Sequence, residues 1–378
     1  MSMSTPWCTE PFNVVENKVW GAWGLCCRSA PLPYSAKDVS PLEHFNSDLM
    51  KEIRRDMLMH NITPNIKKYC HKCIKHEANG VNSMRQGRLT MPRPDKAIQS
   101  AVINDGEIKE FEFRSVEIKF FGNLCNLQCK MCGPAYSSSI AATQKKTGEY
   151  DGPVHVNAFA DLSNDSKVQF YKDLADILPH TDILKFTGGE PMMNKGVVEM
   201  VEWIVDNKYH TGLTLKLITN GTQVNEKLLT LGAGFKSFVI AVSIDGVWDV
   251  NDYQRTGSDF LAVHNNITEF RHYADGVVSY ACVTAINVSS LDELVVYTKL
   301  RGLTIDLSSI ALYPDYLDLR VLPIEYRNEL AVKYHAPQYE HVVKALKDPE
   351  WNRDLWNKFI QKNPDIGSIV PGLRKYLT

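Results

Sequence analysis

From residue 116 onward, short apolar runs alternate with amphipathic stretches. Predicted strands cover residues 116–121, 183–187, 213–219, 238–243, 278–286 and 304–312. Helical periodicity covers residues 167–178, 197–207, 226–231, 260–273 and 291–300. Strands that alternate with helices form a parallel sheet, because each parallel connection needs a long crossover. We therefore predict an α/β fold with six β/α units, which are too few for a closed eight-stranded barrel.

Three cysteines follow the first predicted strand. Cys125, Cys129 and Cys132 have CxxxCxxC spacing. Three thiolates can bind three irons of a cubane cluster and leave the fourth iron without a protein ligand, since a full set is four cysteines. A zinc site and three unrelated cysteines are the alternatives. Zinc sites usually combine two pairs of ligands, and no second pair lies nearby in the sequence.

Further motifs follow the cysteines in a fixed order. They are Thr187-Gly-Gly-Glu-Pro191, Thr219-Asn-Gly221 and Ser243-Ile-Asp-Gly246, with Arg255 beyond them. With the cysteines, these motifs make residues 116–312 resemble the radical S-adenosylmethionine (SAM) superfamily, although Met131 stands where an aromatic residue is common. The resemblance implies a partial (β/α)6 TIM-type barrel over residues 106–322. Three helix-like stretches ending at Lys362 indicate a C-terminal helical segment over residues 323–378.

The resemblance also implies roles for these residues. Cys125, Cys129 and Cys132 would hold a [4Fe-4S] cluster, which cleaves SAM reductively to a 5′-deoxyadenosyl radical that abstracts a hydrogen atom from substrate. The implied SAM-binding residues are Gly188, Gly189, Glu190, Asn220, Ser243 and Arg255. The Glu190 carboxylate would accept a hydrogen bond from the SAM ammonium group, and the planar fork of Arg255 suits a carboxylate. Structural roles are the alternatives for these residues: a turn for Gly188 and Gly189, a helix cap for Ser243, and a surface salt bridge for Arg255. No catalytic acid or base is assigned.

A second cysteine group opens the chain. Cys8 and Cys26 flank a predicted hairpin with strands at 12–15 and 18–23. Cys70 and Cys73 follow a predicted helix at 47–60, which Ser47 can cap. Four cysteines can enclose one metal centre, and the spacing allows zinc as readily as iron. The arrangement resembles the SPASM/twitch domain of radical SAM enzymes, which implies one auxiliary [4Fe-4S] cluster in a small α+β domain over residues 1–105. The sequence does not separate Cys26 from its neighbour Cys27.

Length, net charge and the search for targeting segments indicate the number of domains and the expected cellular compartment. A length of 378 residues predicts two or three domains, and the formal net charge of -2 gives no global attraction for nucleic acid or an acidic membrane. No secretory signal or bilayer-spanning apolar run is found, so we expect a cytoplasmic protein with no membrane partner. Because no export signal is found, the nine cysteines favour metal binding or free thiols over a disulfide framework. Residues 90–106 are predicted to be a linker and turn between the first two domains.

The resemblance sets the expected partners. SPASM/twitch relatives often act on peptide or protein side chains, so a peptide substrate is the leading hypothesis, with an electron donor such as flavodoxin or ferredoxin. A small-molecule or nucleotide-derived substrate is the alternative within the enzyme class. A zinc- or cluster-binding interaction protein is the alternative outside it. The intact order of the motifs argues against a barrel that has lost its activity.

Overall fold

A computed structural model of the chain describes residues 5–78 and 82–377. The fold is mixed α/β, as predicted, with an eight-stranded and mostly parallel sheet. The chain divides into two compact units. The first unit comprises Met1–Cys125, Pro134–Ile218 and Asn225–Val239, and the second comprises Asn126–Gly133, Thr219–Val224 and Ile240–Thr378. Among the helices of the described residues, none has the length and apolarity that a membrane crossing requires.

Eight strands follow one another along the sheet. They are β1 (Val14–Asn17), β2 (Trp23–Gly24), β3 (Phe113–Ile118), β4 (Thr181–Phe186), β5 (Thr214–Thr219), β6 (Ser237–Ser243), β7 (Gly276–Val283) and β8 (Thr304–Ile310). Their order is β2-β1-β3-β4-β5-β6-β7-β8. Strands β1 and β2 pair antiparallel, whereas β1, β3, β4 and β5 pair in parallel, as do β7 and β8. The six predicted β/α strands correspond to β3 through β8.

The first unit holds eleven helices within its described residues. They are α1 (Glu10–Asn13), α2 (Pro41–Phe45), α3 (Asp48–Leu58), α4 (Pro64–Tyr69), α5 (His71–Ala78), α6 (Met84–Arg88), α7 (Asp95–Ile103), α8 (Ser138–Thr147), α9 (Asn164–Ile177), α10 (Lys195–Asp206) and α11 (Glu226–Gly232). The Ser47 side chain caps α3, as the sequence predicts, and accepts a hydrogen bond from the Met50 amide. Buried Met50, Ile53 and Met57 mark the packed face of α3.

The second unit holds the C-terminal half of β6, strands β7 and β8, and the remaining helices. These helices are α12 (Asp249–Gln254), α13 (Phe260–Tyr273), α14 (Leu291–Leu300), α15 (Ile324–Lys333), α16 (Glu340–Leu346), α17 (Arg353–Lys362) and α18 (Ile366–Ile369). Helices α15, α16 and α17 are the three helical stretches expected at the C-terminus. The division of the chain at residues 105 and 322 stays a prediction.

Two predictions near the N-terminus were wrong. Residues 90–106 were predicted to be a linker, yet they contain α7, whose Ala97, Ile98 and Ala101 are buried. The two prolines and the turn signal in this stretch indicated a loop, so the short apolar face of α7 was not recognised from the sequence. The hairpin strands were predicted at 12–15 and 18–23, but the chain is helical until Asn13, β1 continues through Asn17, and β2 covers only Trp23–Gly24. The antiparallel pairing of a hairpin is present, and β1 also pairs in parallel with β3.

Candidate functional site

The segment between β3 and Cys125 is held by side-chain hydrogen bonds in the first unit. The buried Asn123 side chain donates to the Pro134 and Val154 carbonyls at 3.1 and 3.0 Å. The hydroxyls of Ser138 and Ser139 donate to the Cys125 carbonyl at 3.2 and 2.9 Å. The Cys125 amide donates to the Ser138 hydroxyl at 3.2 Å. The start of α8 therefore fixes the backbone of the first cysteine.

The glycines after β4 contact the same segment. The Gly189 amide donates to the Gly122 carbonyl at 3.0 Å, and the Glu190 amide donates to the Leu124 carbonyl at 2.6 Å. A Cβ atom on Gly189 would lie 2.3 Å from the Leu124 oxygen, so this approach requires glycine. Gly188 has a φ of +132°, which also favours glycine. The Gly-Gly motif therefore supports the backbone that leads to Cys125.

The carboxylate of Glu190 is buried and caps the turn that follows. Glu190 is 2 % exposed, and its Oε1 accepts a hydrogen bond from the Met192 amide at 3.0 Å. This bond caps the short 3-10 helix Pro191–Met193. The structure thus gives Glu190 a local structural contact, and its expected bond to a SAM ammonium group stays a prediction.

In the second unit, the segment carrying the other two cysteines runs beside the end of α12. The Gln128 amide donates to the Thr256 carbonyl at 2.8 Å, and the Lys130 amide donates to the Gln254 carbonyl at 2.9 Å. The Cys132 amide donates to the Cys129 carbonyl at 2.9 Å. These backbone bonds hold the CxxC portion of the motif in a defined conformation.

Asn220 contacts the same segment through its side chain. Its Nδ2 donates to Oδ1 of Asn126 at 2.9 Å, while its Oδ1 accepts from the Thr222 amide and hydroxyl at 2.9 and 2.7 Å. The Asn126 Nδ2 group donates to the Thr222 hydroxyl at 2.8 Å. Three side chains thus form a closed set of hydrogen bonds at the residue after Cys125. Sequence analysis identified Asn220 but missed Asn126 and Thr222 as its partners.

Arg255 lies between a carboxylate and a cysteine sulfur. Its Nε forms an ion pair with Oδ2 of Asp245 at 2.8 Å, and its Nη1 donates to Sγ of Cys129 at 3.8 Å. Burial opposes the charged guanidinium, but Asp245 and Cys129 raise the pKa of Arg255 above its usual value. Burial raises the pKa of the Cys129 thiol, and Arg255 opposes that rise. Arg255, which the resemblance implies as a carboxylate-binding residue, therefore contacts a cysteine of the triad in the structure.

Asp245 is held in turn by residues in β7 and just after it. Its Oδ1 accepts from the Cys282 amide at 2.7 Å, and its carbonyl accepts from the Asn287 side chain at 2.6 Å. The Thr284 hydroxyl donates to Oε1 of Gln254 at 2.6 Å. Asp245, Gln254, Thr284 and Asn287 are fully buried. The polar Ser-Ile-Asp-Gly motif at the end of β6 was the sequence signal for this network, and Ser243 is half-buried there.

In the first unit, four cysteines line one cavity. They are Cys8, Cys26, Cys70 and Cys73, and the wall also includes Met57, Tyr69 and Arg85. Cys27 is not among the lining residues, and its Sγ lies 3.3 Å from the Met84 sulfur. Cys26 therefore lines the cavity and Cys27 does not, and which of the two would hold a metal stays a prediction.

Burial keeps these four thiols protonated in the absence of a metal. Burial raises the pKa of Cys70 to about 12, with a further contribution from Cys73. Burial also raises the pKa values of Cys8, Cys26 and Cys73. A bound metal reverses this trend because its positive charge favours the thiolate. The donor set is therefore of the kind that metal ions deprotonate on binding.

No disulfide joins the nine cysteines, all of which fall in the described residues. Over residues 5–78 and 82–377, no group of three or more His, Cys, Asp or Glu side chains has the geometry of a metal-ion site. The assignments of Cys125, Cys129 and Cys132, and of the four N-terminal cysteines, therefore stay predictions. The same is true of Gly188, Gly189, Glu190, Asn220, Ser243 and Arg255 as SAM contacts.

Comparisons with known proteins give partial likenesses. No protein-family model matches the sequence. An uncharacterized protein of Methanocaldococcus jannaschii is 28% identical over 135 residues, which cover 35% of this chain and 39% of that protein. The chain thus matches about two fifths of that relative's length.

Solved structures of low similarity include two proteins with bound SAM. A tagged form of anSMEcpe with bound AdoMet has a TM-score of 0.42 at 19% identity, covering 58% of this chain and 56% of that one. Streptococcus suis SuiB bound to S-adenosylmethionine has a TM-score of 0.42 at 12% identity, covering 86% and 69%. SuiB bound to precursor peptide SuiA has a TM-score of 0.39 at 11% identity, covering 88% and 69%. Likeness at this level does not by itself assign a family or an activity to this chain.

Proposed function

We propose that this chain is a radical SAM enzyme with one auxiliary iron-sulfur cluster. One observation carries the proposal: the Gly-Gly-Glu motif, Asn220 and Arg255 each contact the cysteine-bearing segment within their own unit, and Asp245 of the Ser-Ile-Asp-Gly motif pairs with Arg255. Gly189 and Glu190 bond to the residues before Cys125, whereas Asn220 bonds to Asn126 and Arg255 bonds to Cys129. The first pair of contacts lies beside Cys125 in the first unit, and the other two lie beside the segment that carries Cys129 in the second unit.

Cys125, Cys129 and Cys132 would hold the cluster that binds SAM. When bound, the cluster and SAM together supply reductive cleavage of SAM and removal of a hydrogen atom from substrate. This chain contributes a fixed backbone, since Ser138 and Ser139 hold Cys125 and the Gln254 and Thr256 carbonyls hold the CxxC portion.

The proposed SAM contacts are Gly188, Gly189, Glu190, Asn220 and Ser243. They lie at or after the carboxyl ends of β4, β5 and β6. Ligands of parallel α/β folds bind at this edge of the sheet, because the strand-following loops all open there. The glycine backbone at 188 and 189 presents amide and carbonyl groups at close range, and Asn220 and Ser243 add side-chain polar groups.

Cys8, Cys26, Cys70 and Cys73 would hold the auxiliary cluster. Their shared cavity supports a single metal centre, and Nζ of Lys18 donates to the Cys26 carbonyl at 2.8 Å beside it. A four-iron cluster accepts four cysteine ligands. A single zinc ion accepts the same four ligands, so the metal must be identified by analysis. The peptide substrate is proposed because this cysteine pattern resembles the SPASM/twitch domain.

The test is anaerobic reconstitution followed by metal analysis and a SAM cleavage assay. We expect about eight irons per chain, since two four-iron clusters are proposed, and slow release of 5′-deoxyadenosine after reduction. Cys129→Ala should abolish that release because two cysteines cannot hold the SAM-binding cluster. Cys27→Ala is the matched control, and it should keep both the iron and the release. Stoichiometric zinc without iron would instead favour an interaction protein.

A further inference from the structure

Arg255 has two partners in the second unit. Its Nε faces Oδ2 of Asp245 at 2.8 Å, and its Nη1 donates to the Cys129 sulfur at 3.8 Å. Asp245 is 0% exposed and Arg255 is 9% exposed, so water screens these charges weakly. Asp245 is itself held by the Cys282 amide. The guanidinium therefore has a fixed orientation, with one nitrogen on the carboxylate and another on the sulfur.

We propose that Arg255 is a positioning residue that raises the reduction potential of the cluster bound through Cys129, by donating a hydrogen bond to the Cys129 sulfur. This inference rests on the proposed function, because it requires an iron-sulfur cluster on that cysteine. It differs from the role that sequence resemblance implies, in which Arg255 binds the carboxylate of SAM. The two roles make different predictions for protein that contains no SAM.

The physical basis is the charge that reduction adds. A one-electron donor gives the cluster one electron, no bond forms or breaks, and the cluster gains one negative charge. A positive group beside a ligand sulfur stabilises that charge, and hydrogen bonds to ligand sulfurs are among the factors that set cluster potentials. A hydrogen bond from a charged donor is stronger than one between neutral groups.

Asp245 does not take the place of the sulfur, because it contacts Nε of Arg255 whereas Cys129 contacts Nη1. Cys129 receives the Nη1 donor directly, at 3.8 Å. Lysine cannot reproduce the arrangement, since a single ammonium group lacks the planar fork that joins two partners in fixed directions. The pair thus presents its positive end to the sulfur.

The test is a reductive titration of reconstituted protein without SAM. Dithionite serves as the reductant, redox mediators set the potential, and electron paramagnetic resonance measures the reduced fraction. We expect Arg255→Gln to lower the ratio of reduced to oxidised cluster about tenfold at a fixed potential, which is about 59 mV for a one-electron couple. Arg255→Lys should give a smaller shift in the same direction, because it keeps the charge and loses the fork.

Two further variants keep the test decisive. Arg255→Gln leaves Asp245 as an unpaired buried charge, which can prevent folding. The double variant Arg255→Gln with Asp245→Asn removes both charges, and it should fold and show the lowered potential. Arg320→Gln is the matched control, since Arg320 pairs with Asp318 at 2.6 Å in the same unit. It should leave the potential unchanged.

The outcomes separate this inference from the proposed function. If wild-type protein binds no iron, the proposed function fails. If the wild type and the Arg255 variants hold equal iron and have equal potentials without SAM, the inference fails while the function stands. Weaker SAM binding in Arg255→Gln with an unchanged potential assigns Arg255 to the SAM carboxylate and overturns the inference.

Discussion

At the scale of single residues, the close packing of Gly189 shows why a polar functional motif can need glycine for structural reasons. Its α-carbon faces the Leu124 carbonyl, and a Cβ atom would lie 2.3 Å from that oxygen. Real side chains do not fit at such distances, so the backbone leading to Cys125 would have to move. The glycine is therefore required by the approach of two backbone segments, whatever else the motif binds.

We predict that Gly189→Ala destabilises the protein by about 2–3 kcal/mol, because the added methyl group overpacks a rigid backbone contact. The measurement is urea unfolding followed by circular dichroism, together with the iron content after reconstitution. Gly212→Ala is the matched control in the same unit, since nothing lies within 4 Å of its Cβ position. Equal unfolding midpoints for the two variants would contradict the structural role of Gly189.

At the scale of elements, β1, β3 and β4 carry a row of buried charges in the first unit. Glu16 forms ion pairs with Lys18 at 2.9 Å and with Lys119, and Glu117 pairs with Lys185 at 2.7 Å. The strands are therefore joined by charges as well as by backbone hydrogen bonds. Sequence analysis missed this row, because each residue taken alone is consistent with a solvated position.

The pKa of Glu117 makes this row sensitive to acid. Burial alone would raise it, but Lys185 and Lys119 hold the pKa of Glu117 at about 2, below its usual value of 4.5. A carboxyl whose pKa is lower in the folded state stabilises the fold above its unfolded pKa. That contribution is lost as the pH falls from about 4.5 to about 2.

We predict that Glu117→Gln lowers the free energy of unfolding at pH 7 by about 3 kcal/mol, because it removes the buried carboxylate that pairs with the half-buried Lys185. The difference from wild type should shrink as the pH falls from about 4.5 toward about 2, since the wild-type carboxyl becomes protonated there. Urea unfolding of both proteins across this pH range measures the difference in their free energies of unfolding. Glu112→Gln is the control, because its pair with Lys96 is exposed and should contribute little. A difference that stays constant with pH would contradict the assignment.

At the scale of the whole molecule, the two cysteine groups belong to separate parts of the sequence and have separate proposed roles. Cys8, Cys26, Cys70 and Cys73 line a cavity in the first unit. Cys129 and its partner Arg255 lie in the second unit. Losing the first group should therefore leave the chemistry of the second group intact.

We predict that replacing both Cys70 and Cys73 by alanine removes about half of the bound iron, since one of two four-iron clusters is lost. SAM cleavage should continue, whereas turnover of substrate and thermal stability should fall, because a cluster bound only in the folded state stabilises it. Iron analysis, 5′-deoxyadenosine release and thermal unfolding measure these effects. Full iron content in a soluble double variant would contradict the auxiliary site, as would lost cleavage with the other cluster intact.

The sequence by itself determined the α/β fold, since apolar periods of two and 3.6 residues are local properties. They located β3 through β8 to within a few residues, and the capping residue Ser47 located the start of α3. Short elements escaped this reasoning, because α7 and the end of β1 have too few residues for a clear period. The cysteine motif and the order of the later motifs were likewise readable from the chain.

Only the tertiary structure decided which side chains meet. It brought Cys26 to the wall of the cavity, paired Arg255 with Asp245 and Cys129, and joined Glu16 to Lys119 across two strands. Partners of this kind are set by the path of the backbone between distant segments. A long charged side chain can reach many partners, so its position in the sequence does not select one.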